Sequence, residues 1–213
     1  MAQRPVFAPR KSKPYVNVYT PAFVWNSGLS AAQKKKNVAA LHGAFNNIFP
    51  EKKVLEISSK SFEELGIQLS AFNLKKFVPE LGQAVPVECI YQGSKTFTAG
   101  GPYTDLYTGT SRAAKGDKRL SSSGTLTCFR FDGRDFPLRP LTAFYDWLYI
   151  NALMEQPELA EQLMAYDAFT DIEFNPNKSL NCQARAAAIF VALSREGLID
   201  RCKNFDDFVS LLA

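Results

Sequence analysis

The stretch Thr125-Leu126-Thr127-Cys128-Phe129-Arg130-Phe131-Asp132-Gly133-Arg134-Asp135-Phe136-Pro137-Leu138 decides the fold class. Residues 125–131 alternate in the manner of a strand. Asp132-Gly133 is the two-residue signal of a tight hairpin, because both positions tolerate positive φ. The chain then returns along 134–138. On both sides of this hairpin the period changes from two to that of a helix. Downstream, Leu141, Phe144, Leu148 and Ala152 fall at helical spacing. Pro157 opens another helix with Leu159, Leu163 and Tyr166 on one side. Asn181 is expected to cap a helix that ends at Gly197, and Asn204 to cap a last one.

Upstream, Ser30 and Gln33 form a capping box ahead of a helix whose apolar face is Val38, Leu41, Phe45 and Ile48. Residues 54–57 read as a short strand. Ser61 with Glu64 is a second capping box, with Gly66 as the stop. Pro86 sits at the first position of a helix over 87–97, and a strand over 85–90 is the competing reading. The expected class is α+β. It is a mostly helical single domain over 15–213, with a few short strands and the hairpin, preceded by a loose basic tail over 1–14. This mixed order excludes a doubly wound parallel sheet.

Composition bounds the function. The 213 residues are 46% hydrophobic and include 17 Phe and 8 Tyr, enough for a sizeable core. No apolar run approaches the ~20 residues of a membrane-spanning helix, and the N-terminus has no apolar signal region. Cys89, Cys128, Cys182 and Cys202 are widely spaced, which indicates reduced thiols in a cytoplasmic protein rather than zinc or disulfides. The formal net charge of +4 is uneven. Residues 1–60 hold ten cations and two acids, so they carry +8 and the remainder −4. An anionic partner such as nucleic acid is one reading of that asymmetry, and a solvated surface is the other.

Four stretches hold candidate chemistry. In Val87-Glu88-Cys89-Ile90-Tyr91-Gln92-Gly93-Ser94-Lys95-Thr96-Phe97, helical spacing places Glu88, Tyr91, Gln92 and Lys95 along one face. An exposed polar face is the plainer reading. Gly93 costs a helix ~1 kcal/mol against Ala, so something comes close there: a ligand or a second helix. Gly100-Gly101-Pro102-Tyr103 offers backbone amides to an anion and an aromatic ring to a base. Ser70, Phe72 and Asn73 lie in another loop, just downstream of Ser58-Ser59-Lys60-Ser61. Asp171 and Glu173 fall on one side of an extended segment that leads to Asn181 at a helix start, where amides favour phosphate. His42 is the one histidine and is expected at the surface, so no Ser-His or Cys-His arrangement emerges.

The order of these motifs resembles the NADAR proteins, the NAD- and ADP-ribose-associated family. It is similar above all to the bacterial branch that serves as antitoxin to a DNA-guanine ADP-ribosyltransferase toxin. Residues 87–95 resemble the family's S-E-H-Y-F-Q-A-x-K helix, and Leu69-Ser70-Ala71-Phe72 its F-S-N-F loop. Asp171-Ile172-Glu173 and Asn181-Cys182-Gln183-Ala184 resemble its late V-E and N-x-L-G segments. Cys89 replaces the family's histidine, an upstream tryptophan has no clear match, and the late acidic W-G motif is missing.

The resemblance implies an N-glycosidase that removes ADP-ribose from guanine in DNA, with no cofactor and no metal. The partners implied are ADP-ribosylated single-stranded DNA, ADP-ribose as product and a cognate toxin. Glu88 would be the main catalytic carboxylate; Lys95 would orient it, hold a phosphate or hydroxyl, or act as a nucleophile; and Asp171 or Glu173 would grip ribose hydroxyls or serve as the second acid. Ser58, Lys60, Ser70, Phe72, Asn73, Gln92, Gly101 and Asn181 would hold ADP-ribose. Tyr91, Tyr103 or Trp147 would stack on a base. A module that binds ADP-ribose, NAD or DNA without hydrolysis is the alternative.

Overall fold

The computed structural model describes residues 1–212. In chain order the elements are β1 (Ala2–Gln3), β2 (Val6–Pro9), β3 (Val16–Tyr19), β4 (Ala22–Phe23), α1 (Ala31–Asn46), β5 (Val54–Glu56), α2 (Glu64–Gln68), β6 (Lys75–Val78), β7 (Gln83–Pro86) and α3 (Val87–Gly93). They continue with β8 (Lys95–Phe97), α4 (Ser111–Lys115), α5 (Arg119–Ser122), β9 (Leu126–Phe131), β10 (Arg134–Phe136), α6 (Ala143–Met154), α7 (Pro157–Leu163), β11 (Ala168–Thr170), α8 (Gln183–Arg195) and α9 (Phe205–Leu212). The class is α+β. The chain divides into two units, residues 1–70 with 157–213, and residues 71–156.

The first unit is built on the sheet β3-β2-β11-β5. Strand β2 runs antiparallel to β3 and to β11, whereas β11 and β5 are parallel, with Phe169 opposite Leu55. The segment expected as a loose tail therefore supplies an inner strand. Val6, Phe7 and Ala8 are buried, and a strand alternates its faces. Val6 and Ala8 join Val38, Leu41 and Phe45 of α1 in one core cluster. Ile48, expected on that face, lies beyond the helix end and is 58% exposed. Half of the first capping box forms: Ser30 Oγ accepts from Gln33 N at 3.3 Å. Helix α8 packs on the sheet, and its alanine-rich run, Ala186 to Ala188, lets it approach closely.

Two expected caps do not form. Ser61 Oγ accepts from Glu63 N, so it closes a turn ahead of α2 instead of capping the helix. Gly66 is not a stop but an interior residue of α2; a Cβ there would lie 2.0 Å from Glu56 O. Asn181 is likewise one residue too early, since Cys182 is the N-cap of α8. Asn204 does cap α9, accepting from Asp206 N and Asp207 N at 2.8 and 3.1 Å.

The second unit holds the hairpin read from the sequence. β9 and β10 pair with Phe131 opposite Arg134, and Asp132 and Gly133 take φ of 50° and 68°. β8 joins the other edge of β9. A second hairpin, β6–β7, feeds directly into α3 through Pro86. Helix α6 is buried on nearly every side, from Ala143 to Leu153. Its Phe144 and Trp147 pack with Phe129 and Phe136 in an aromatic core.

Candidate functional site

Helix α3 is short, and its start is tied down. Val87 N donates to Leu74 O at 2.9 Å and Glu88 N to Ala71 O at 2.8 Å. Two of the amides that a helix start leaves unpaired are thus satisfied by the turn at 71–74. A carboxylate in this first turn also meets the positive end of the helix. Glu88 is 6% exposed, so its acid is held within the unit.

The expected helix over 87–97 stops at Gly93, and Lys95 begins β8 instead of a third turn. The four polar residues still converge. Gln92 Nε2 donates to Glu88 Oε1 at 2.9 Å, and Lys95 Nζ donates to Gln92 Oε1 at 2.7 Å. The ammonium also lies 4.8 Å from the centre of the Tyr91 ring. Burial pushes the Lys95 ammonium below its usual range. The Glu88 charge works against that shift and Lys115 adds to it. An acid and a base are therefore linked by one amide in a largely dry setting, a fit for proton handling and charge stabilisation.

Gly93 is explained by its neighbours. A Cβ there would meet Tyr107 Cε1 at 2.5 Å and Tyr103 O at 2.8 Å. The close approach anticipated at this glycine comes from the turn over 103–108. Cys89 is buried, and its thiol faces Gly109 O and Ser111 Oγ; burial raises its pKa.

The Gly loop is not an open anion cradle. Ala99 N, Gly100 N and Tyr103 N donate to Ser123 O, Phe97 O and Gly93 O. Gly101, at φ +82°, lets the loop run against Lys95 O, which a Cβ would meet at 2.3 Å. The Tyr103 hydroxyl bonds Ser123, and Arg119 covers its ring at 4.4 Å. Tyr91 packs against Phe129, Phe144 and Tyr145, and Trp147 belongs to the aromatic core. Of the candidate aromatics, Phe72 is open, at 36% exposure with Lys115 5.3 Å from its ring centre. Asn73 beside it is exposed.

The remaining candidates lie in the first unit. Ser58 is buried; its hydroxyl donates to Glu56 Oε1 at 2.6 Å and accepts from Lys60 N at 3.0 Å. Lys60 Nζ donates to Ser59 Oγ. Ser70 is buried, and its Oγ has no hydrogen-bond partner among the described residues. Asp171 is buried just past β11, in a turn where Oδ1 accepts from Glu173 N at 3.0 Å. Asp171 and Glu173 therefore do not share the face of a strand. Glu173 is exposed and pairs with Lys34 at 3.4 Å. Asn181 is half-buried, and its carbonyl accepts from Ser179.

One acid that sequence reading passed over is central to this group. Glu56 is 2% exposed and receives hydrogen bonds from Ser58 Oγ, Thr170 Oγ1 and Ile172 N at 2.6–2.8 Å. Burial pushes its carboxyl up, against the pull of those three donors. His42, expected at the surface, instead turns inward to Thr170 Oγ1 at 2.8 Å, and burial lowers its pKa to about 4. The sequence signal was a lone acid inside the apolar run Val54-Leu55-Glu56-Ile57.

No helix among the described residues is long and apolar enough to cross a membrane. No curated protein matches the chain. The family model described as DarT1-associated NADAR antitoxin matches residues 2–213, essentially the whole chain. The chain therefore belongs to the DarT1-associated NADAR antitoxin family.

Proposed function

We propose that this antitoxin is an N-glycosidase that removes ADP-ribose from guanine in single-stranded DNA and so reverses the toxin's modification. The observation that carries the reading is the Glu88–Gln92–Lys95 relay on α3 and β8. Breaking the bond between C1″ of the ribose and the base nitrogen builds positive charge at the sugar. A buried carboxylate stabilises that charge and accepts a proton from the attacking water. The electron pair of the broken bond stays on the guanine nitrogen, which takes up a proton. The water oxygen bonds to C1″, giving free ADP-ribose and restored guanine.

In this reading Lys95 orients the Glu88 carboxylate through Gln92. Phe72 and Asn73 lie at the start of the same unit and offer a ring and an amide to the ligand.

The test is Glu88→Gln, assayed with guanine-ADP-ribosylated oligonucleotide for restored base and free ADP-ribose. Loss of release with an unchanged circular-dichroism spectrum is expected. Full turnover in the variant removes Glu88 from the mechanism. Binding of modified DNA by the native protein without any turnover replaces the enzyme by a binding module.

A further inference from the structure

A cavity of about 590 Å³ opens in the first unit, lined wholly by residues of that unit. Its size falls within the roughly 300–1,000 Å³ of small-molecule sites. The lining has two parts. Arg4 and Arg185 place cationic side chains in the lining, and among the described residues the lining holds no carboxylate. Phe7 and Phe174 supply a ring pair, 6.4 Å between centres and tilted by 60°. Val18 and Leu180 extend this apolar side to the surface, at 55% and 60% exposure.

Each part is held in place. Phe7 is fixed in the inner strand β2, on the face opposite Val6 and Ala8. Arg185 sits in the first turn of α8. Arg4 precedes β2; its guanidinium lies 5.1 Å from the Trp25 ring centre, which presets its direction. No acid pairs with Arg4 among the described residues, and its Nε is buried without a hydrogen-bond partner. Arg4 Nη1 donates to Gln3 O at 3.0 Å, and a guanidinium with no acid beside it favours a fork-shaped anion such as phosphate.

We infer that this cavity binds one nucleotide unit, with its phosphate on Arg4 and Arg185 and its base against Phe7 and Phe174. A ligand here must be anionic at one end and flat and apolar at the other, and a nucleotide meets both demands. Preference for a nucleotide over other aryl anions rests on the proposed DNA substrate and on the +8 charge of residues 1–60. The nucleotide belongs either to the substrate strand, outside the modified base, or to a free mononucleotide. The site is distinct from the Glu88 relay, which lies in the other unit. It gives the antitoxin a hold on unmodified nucleic acid.

The experiment measures equilibrium binding of an unmodified, 5′-phosphorylated single-stranded decamer and, separately, of a nucleoside 5′-monophosphate. The proteins are the native chain, Arg4→Ala, Arg185→Ala and Val18→Glu. Val18 is exposed, so its replacement adds a negative charge at the rim without disturbing the core. Each variant is expected to weaken binding about tenfold or more and to flatten the salt dependence by about one unit of slope. Weakening with the decamer alone assigns the site to the strand, and weakening with both ligands assigns it to any nucleotide. Unchanged affinity and salt slope in folded Val18→Glu overturn the proposal. Because the ligand is unmodified and no turnover is read, this result is independent of Glu88: an inactive relay leaves it intact, and an empty cavity leaves glycosidase activity untouched.

Discussion

Lys95 reaches Glu88 across a single side-chain amide, with hydrogen bonds of 2.7 and 2.9 Å on either side of Gln92. An amide bridge differs from a direct ion pair. It fixes the direction of the carboxylate while leaving its second oxygen to a water or a sugar. It also keeps the ammonium from quenching the carboxylate at contact distance, where two charges in a dry site interact most strongly.

Gln92→Met keeps the length and volume of this side chain but removes both hydrogen bonds. Turnover of modified DNA is expected to fall about ten- to hundredfold, the usual effect of losing an orienting partner. KM should change less than kcat. An unchanged kcat would mean that Gln92 is only a packing residue.

Gly93→Ala tests the packing behind the relay. In an isolated helix the change would stabilise by up to ~1 kcal/mol. Here the new methyl meets the Tyr107 ring and the Tyr103 carbonyl at under 3 Å. Tyr107 is itself buried and hydrogen-bonded to Ser94, and burial pushes its hydroxyl pKa up to about 12, so the ring has little room to retreat. Destabilisation of roughly 1–3 kcal/mol in urea is expected, the range of overpacked cores. A more stable variant would show that the turn over 103–108 yields freely.

How far the sequence reveals this molecule depends on whether a signal is local. The Asp132-Gly133 hairpin, the Ser30 and Asn204 caps and the Glu88–Gln92 spacing are all contained within a few residues, and all appear in the structure. The extent of α3 differs because Lys95 reads as part of a continuing turn, while pairing of β8 with β9 captures it. The strand β2 has no turn signal of its own, and Pro5, Pro9 and the flanking Arg4 and Arg10 make it look like tail. Its partner β11 lies some 160 positions along the chain, as Phe7 opposite Phe169, and no local pattern announces such a pairing. Glu56 and His42 were hidden for the same reason: their shared partner, Thr170, is more than a hundred residues away.

Removing residues 1–9 therefore should not trim a tail but withdraw an inner strand. Val6, Phe7 and Ala8 are at most 4% exposed. Burial of Val6 and Phe7 contributes about 1.5–3 kcal/mol each. The ladder bonds to β3 and β11 are lost as well. The sum is comparable to the roughly 5–15 kcal/mol of a whole domain. The truncated chain is expected to lose its cooperative thermal transition or to aggregate. A Tm within a few degrees of the native value would return residues 1–9 to the status of a tail.

The last prediction concerns protons in the buried group around Thr170. Its hydroxyl touches Glu56 Oε2 at 2.6 Å and His42 Nε2 at 2.8 Å, and it has one proton to give. If Glu56 is ionised, Thr170 donates to it, and His42 must carry its hydrogen on Nε2. If Glu56 is protonated, the acid donates to Thr170, Thr170 donates to Nε2, and the imidazole hydrogen sits on Nδ1. Burial favours the neutral acid and a neutral imidazole, raising Glu56 and lowering His42 to about 4. The effects on stability have opposite signs. The His42 contribution falls as pH drops from 6.5 towards 4, by up to roughly 3 kcal/mol, because only the unfolded chain takes up that proton. The Glu56 contribution is complete below the unfolded carboxyl value and is lost as pH rises towards its elevated folded value. Glu56→Gln mimics the protonated acid: its Oε1 still accepts from Ile172 N and Ser58, and its amide donates to Thr170. His42 is the sole histidine, so a ¹⁵N imidazole spectrum reads one ring. Above the His42 value of about 4, Nε2 should gain hydrogen in the native protein as pH rises, whereas in Glu56→Gln it should stay bare. A protonated Nε2 in that variant at neutral pH would break the proposed link between the two groups.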